Sequence, residues 1–181
     1  MDDNILLTEL KIPIGMLDSR GNIDNFEYIK EKMGGLEYIS PKGWRGLGLN
    51  VMNKYENNDW LACNGNKNEW AVAYQGININ FIKPILLNGF MVGLRQAYMN
   101  DDDIYHPGKK VGSGIYLTPK PDLMEKFSMP SEINGKKYKF GLMVRVNPEK
   151  IRSPISNTDY YVVNPNANEI RPYRILIKEI K

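Results

Sequence analysis

Apolar and polar positions alternate most cleanly from Lys137 to Val146, with Tyr138, Phe140, Leu142, Val144 and Val146 on one side and Lys139, Met143 and Arg145 on the other. A period of two marks a β-strand. Glu69 to Gly76 differs, because Trp70-Ala-Val-Ala-Tyr74 is a continuous apolar run ending in Gln75-Gly76, which predicts a strand covered on both faces. Ile115-Tyr-Leu117 reads as a short strand behind Gly112 and Gly114, stopped by Pro119. Asp159 to Asn164 and Ile170 to Ile180 are further β-rich runs, with Pro165-Asn-Ala-Asn168 as the turn between them. These readings put Gln75 at a strand end, Tyr116 inside a strand and Asp159 at a strand's first position.

Helical spacing is rarer. Asp24 and Glu27 resemble a capping box, Phe26, Ile29 and Met33 share a helical face, and Gly34-Gly35 supplies a stop, which predicts a helix over 25–33. A second helix is expected from Phe81 to Leu87, capped by Asn80, with Pro84 in its first turn and Asn88-Gly89 at its end. A third opens at Pro121 and runs to Phe127, with Leu123, Met124 and Phe127 on one face, so that Phe127 points back toward the strand of Tyr116. Residues 4–17 alternate only loosely and read as at most a short edge strand. Pro41 to Asn50 reads as a buried loop–strand junction, and Asn53 to Asn68 as a long polar loop pinned by Trp60 and Leu61. Together the pieces predict an α+β fold of antiparallel-rich sheets with few short helices, in which residues 1–42 form an N-terminal extension with one helix and residues 43–181 the main domain.

Composition narrows the chemistry. At 181 residues, 42% hydrophobic and 25% charged, the chain has the makeup of one well-packed domain. No stretch approaches the roughly 18 apolar residues of a membrane helix, and the acidic start Met1-Asp-Asp-Asn4 does not suit a secretory signal. The lone Cys63 rules out an internal disulfide framework, so an intracellular location, cytoplasmic or nuclear, is expected. Its 24 basic and 21 acidic residues are spread without long Lys/Arg runs, which argues against a nucleic-acid partner. The single histidine, His106, removes most Ser-His-Asp, Cys-His and multi-histidine metal chemistry. Asp101-Asp-Asp103 on an extended segment points its carboxylates in alternating directions, a poor arrangement for one ion, and His106 beside Pro107 reads as a turn residue. Tyr116 offers a ring for stacking and a hydroxyl for one hydrogen bond, which suits a flat ligand; ordinary hairpin packing accounts for such an aromatic as well.

A strand ending in Gln75-Gly76, a strand carrying Tyr116 behind Gly112-Ser-Gly114, a helix carrying Phe127, and Tyr160-Tyr-Val-Val163 followed by Arg171-Pro-Tyr-Arg-Ile-Leu-Ile177 occur in that order. This order resembles the ADP-ribosyltransferase fold of the poly(ADP-ribose) polymerase type, over about residues 69–178. The resemblance implies split antiparallel sheets around an NAD cleft, with NAD as substrate and a protein acceptor as partner. It places the family's ribose-binding histidine on Gln75, its amide-binding glycine on Gly76, its nicotinamide-stacking tyrosine on Tyr116, the second aromatic wall on Phe127 and the pocket serine on Met124. The acidic residue falls on Asp159, with Glu169 as second choice. Two functions are thereby implied: mono-ADP-ribosyl transfer from NAD to a macromolecular acceptor, with Tyr116 and Asp159 catalytic, or an inactive module that binds an ADP-ribose-like or peptide ligand.

Overall fold

A computed structural model describes residues 3–94 and 96–181. The chain opens with α1 (Asp3–Leu10), continues through the strands β1 (Lys30–Met33), β2 (Leu36–Ile39), β3 (Arg45–Gly48) and β4 (Ala71–Ile77), and reaches α2 (Ile82–Asn88). Then follow β5 (Ile115–Leu117), α3 (Pro121–Phe127), β6 (Ser131–Ile133), β7 (Lys136–Val146), β8 (Tyr161–Val163) and β9 (Ile170–Ile180). The architecture is α+β, with antiparallel sheets and short helices, as the apolar pattern predicts.

The main sheet has the order β3-β9-β7-β4, and β6 folds back on the start of β7. Strand β7 sits between β4 and β9, and both of its faces are covered as well: Phe140 to Val146 is buried throughout, including Met143 and Arg145, which simple alternation would turn to solvent. Arg145 is tolerated there because its guanidinium donates to the carbonyls of Trp60 (3.2 Å), Leu61 (3.0 Å) and Trp70 (2.8 Å), which fastens the polar loop over residues 53–68 to the sheet. A second, two-stranded sheet pairs β5 with β8. It is stitched to β4 at a single point, where Tyr74 N donates to Thr118 O (2.8 Å) and Thr118 N to Tyr74 O (3.0 Å). Beyond this stitch β4 and β5 diverge, and their separation opens a cleft.

Three local expectations give way. Residues 25–33 are not a helix: Gly34 and Gly35 lie at φ +60° and +78°, a two-residue turn that folds β1 onto β2, so Met33 is buried while Ile29 is exposed. Phe26 is buried through an extended pairing, its N–H donating to Trp44 O at 3.0 Å. Residues 4–17 hold α1 and a short 3₁₀ turn at Ile14–Met16 in place of an edge strand, and Leu10 and Ile12 enter the core from there. The cap before α2 is Asn78, whose side chain accepts from Asn80 N (2.9 Å) and starts a 3₁₀ turn that runs into the helix. Leu10, Ile12, Phe26, Met33 and Tyr38 belong to the same hydrophobic cluster as the strands of the main sheet, so residues before 43 pack as part of one core. Among the described residues no helix is long and apolar enough to cross a membrane.

One sequence pattern is used twice. Asn64 to Glu69 and Asn164 to Glu169 both read Asn-x-Asn-x-Asn-Glu, and each turn buries its glutamate: Glu69 accepts from Gly34 N (2.7 Å), and Glu169 accepts from Asn164 N (3.0 Å) and Asn166 Nδ2 (2.8 Å). One turn leads into β4, the other into β9.

Candidate functional site

The cleft at the divergence of β4 and β5 has a volume of about 340 Å3, in the range of small-molecule sites. Its floor is the end of β4, with Gln75 and Gly76; one wall is Tyr116 on β5; the other is α3, with Met124 and Phe127. Five residues singled out from sequence, Gln75, Gly76, Tyr116, Met124 and Phe127, thus line one cleft.

Helix α3 fits against β4 because Gly76 has no side chain. A Cβ there would lie 2.3 Å from Met124 O and 2.8 Å from the Phe127 carbonyl carbon, so the glycine serves helix packing whatever the cleft binds. Met124 is fully buried, with its sulfur over Gly141, and contributes to the α3 wall as a packing residue. Gly114 plays the same part under β5: a Cβ would lie 2.6 Å from Val163 O and 2.8 Å from Arg152 Nη2. Arg152 clamps this turn, donating to the carbonyls of Val111 and Ser113 and to Asn164 Oδ1.

Tyr98 and Tyr160, which the sequence reading did not single out, complete the walls. The segment after α2 returns along β5, where Gly114 N donates to Gln96 Oε1 (3.1 Å), Tyr98 N to Tyr116 Oη (3.2 Å) and Asn157 Nδ2 to Tyr98 Oη (3.2 Å). The Tyr98 and Tyr116 rings are nearly parallel, at 16° with centroids 6.4 Å apart. Tyr160 lies 5.4 Å from Tyr98, 6.3 Å from Tyr116 and 6.3 Å from Phe127. Phe127 is 55% exposed and lines the cleft beside Tyr160. Burial pushes the Tyr116 and Tyr160 hydroxyls above the ordinary tyrosine range. No charged side chain lines the cleft among the described residues.

Asp159 does not line it. It lies in a turn two residues before β8, not at the strand's first position, and its Oδ1 is 2.7 Å from Lys120 Nζ. The hydrogen bond to Asp159 holds the Lys120 ammonium above its ordinary range. Both face a neighbouring cavity of about 500 Å3 that also includes Trp44 and Lys178. Glu169 is spent inside its turn. Asp103 is buried, accepts from Tyr105 N (3.0 Å) and Ser153 N (3.1 Å) and sits 2.5 Å from His106 Nδ1, so this pair braces a loop away from the cleft. Among the described residues no group of His, Cys, Asp or Glu is disposed to hold a metal ion.

Compared with protein-family models and with curated proteins, the chain matches none.

Proposed function

We propose that the chain is an ADP-ribosyltransferase-like module that binds the planar base of an NAD or ADP-ribose ligand in the aromatic cleft and does not transfer ADP-ribose efficiently. The observation that carries this reading is the makeup of the cleft: the rings of Tyr98, Tyr116, Phe127 and Tyr160 around a slot to which the described residues bring no charged side chain, with the acidic candidate Asp159 ion-paired in the next cavity. Stacking on Tyr116 and Phe127 supplies affinity for a flat ring. Gln75, two residues before the end of β4, offers an amide to a ribose hydroxyl. Cleavage of the nicotinamide bond builds positive charge on the ribose, and a carboxylate held by Lys120 outside the cleft gives that charge no stabilising partner.

Mono-ADP-ribosyl transfer is the second reading, and it has one observation in its favour. Asp159 directly precedes Tyr160, a cleft wall, so a turn that releases Lys120 would bring the carboxylate to the rim. Calorimetric titration with NAD and with ADP-ribose, together with incubation in labelled NAD and added proteins, separates the two. Binding without label on any protein is the expected result. Label that disappears in Asp159→Ala would establish the transferase instead.

A further inference from the structure

We infer that a second cavity, separate from the aromatic cleft, is a binding site for a neutral sugar. It has a volume of about 680 Å3, within the range of small-molecule sites, and shares no lining residue with the cleft. Both Asn-x-Asn-x-Asn-Glu turns contribute to it, the first through residues 65–69 and the second through Asn168. Trp60 and Arg171 line it as well, each only 1% exposed, and Trp60 Nε1 and Arg171 Nη1 have no hydrogen-bond partner. Native proteins rarely leave buried donors unpaired, because each then costs the free energy of its lost hydration. The Arg171 guanidinium carbon lies 4.0 Å from the Tyr55 ring centroid and 4.1 Å from that of Trp70, while Nε donates to Ala167 O (2.7 Å) and Nη2 to Glu56 Oε2 (3.1 Å). Nη1 is therefore the part of this group that still wants an acceptor.

Most of the charge around the cavity is already engaged. Glu56 holds Arg171, and Glu69 accepts from Gly34 N (2.7 Å) and Gly65 N (3.3 Å). Lys67 and Glu149 remain, one of each sign, which favours neither an anion nor a cation. The exposed side-chain amides of Asn68 and Asn168 make no hydrogen bond among the described residues, and each carries donors and an acceptor. A ligand matched to this lining accepts from the buried donors, both donates to and accepts from the amides, and carries no net charge. A hydroxyl accepts and donates within one small group, and neighbouring hydroxyls on a sugar ring match the paired donor and acceptor of a carboxamide.

The test is an NMR titration of the full chain with glucose, galactose, mannose, N-acetylglucosamine and maltose, following the indole N–H of Trp60. Glucuronate and the ammonium form of 6-amino-6-deoxyglucose serve as charged counterparts. At least one neutral sugar is expected to bind with a Kd of about 1 mM, to move that resonance, and to stay bound when NAD is added. Replacing both Asn68 and Asn168 by alanine should weaken it about tenfold with the melting temperature unchanged, because both side chains are exposed. Trp60→Phe, which removes the unpaired donor and keeps a ring, should weaken it about threefold to tenfold, read from the other shifting amides. If that variant melts early, the asparagine pair carries the test. Absence of saturable binding by every neutral sugar would overturn the inference, as would tighter binding of either charged counterpart. Displacement by NAD, or undiminished binding in the asparagine variant, would overturn it too. None of these outcomes decides whether the aromatic cleft binds a planar base.

Discussion

In the proposed reading Gln75 is the residue on which ribose recognition would turn, since it lines the floor of the cleft and offers only a neutral amide. Replacement by histidine should improve NAD binding about tenfold, the worth of one good hydrogen bond (~1.4 kcal/mol), with little change in melting temperature because the side chain is only half-buried. Calorimetry and a thermal melt on Gln75→His check both parts, and unchanged affinity in a folded variant would remove Gln75 from the ribose contact. Tyr116 and Phe127 were legible in sequence because a glycine-flanked strand and a proline-opened helix each fix their own direction. Tyr160 was passed over because its neighbour Asp159 carried the more conspicuous chemistry; whether the acid or the ring faces the cleft depends on a turn two residues before β8. Tyr98 lies in a segment with no periodicity, and its long-range contacts, the hydrogen bonds to Tyr116 and Asn157, reveal its place.

Among the elements, the contact of α3 with β4 sets the width of the cleft. Gly76→Ala would force a methyl against Met124 O and the carbonyl carbon of Phe127, both backbone atoms that yield only if the helix moves. A loss of about 1–3 kcal/mol in denaturant unfolding, with weaker ligand binding, is expected. A stable variant with unaltered binding would show that α3 is not the wall described here. Strand β4 was readable from its continuous apolar run, β7 from its clean alternation and β9 from its β-rich composition. The segment over 25–33 was not: Asp24 and Glu27 give a local helix signal, yet Gly34-Gly35 and the pairing of β1 with β2 are worth more than one isolated turn of helix. Residues 4–17 misled for a similar reason, because a loose alternation says nothing about whether a sheet edge is available to pair with.

The whole molecule keeps several tyrosines inside one core. Burial raises the hydroxyls of Tyr38, Tyr74, Tyr161 and Tyr173 above the usual value. In the unfolded chain they ionise near pH 10, whereas the folded protein retains their protons, so the stability they contribute is fully present below about pH 10 and is lost as pH rises from there through the folded values. Denaturant midpoints should therefore hold level up to about pH 9 and fall above about pH 10. A flat profile through that range would mean that these hydroxyls are not sequestered. The antiparallel α+β plan was legible from the strands alone, but the cleft arises from the single stitch between Tyr74 and Thr118, a long-range contact that no sequence pattern announces.

The central claim, that the aromatic cleft is the ligand site, is most directly tested by mapping amide chemical shifts while NAD is added to the intact protein. The account predicts that the largest changes fall on Gln75, Gly76, Tyr98, Tyr116, Phe127 and Tyr160, and that they vanish in Tyr116→Ala. Changes gathered instead around the separate cavity of about 680 Å3 lined by Gly34, Glu56, Trp70 and Arg171, or shifts that persist undiminished in that variant, would contradict it.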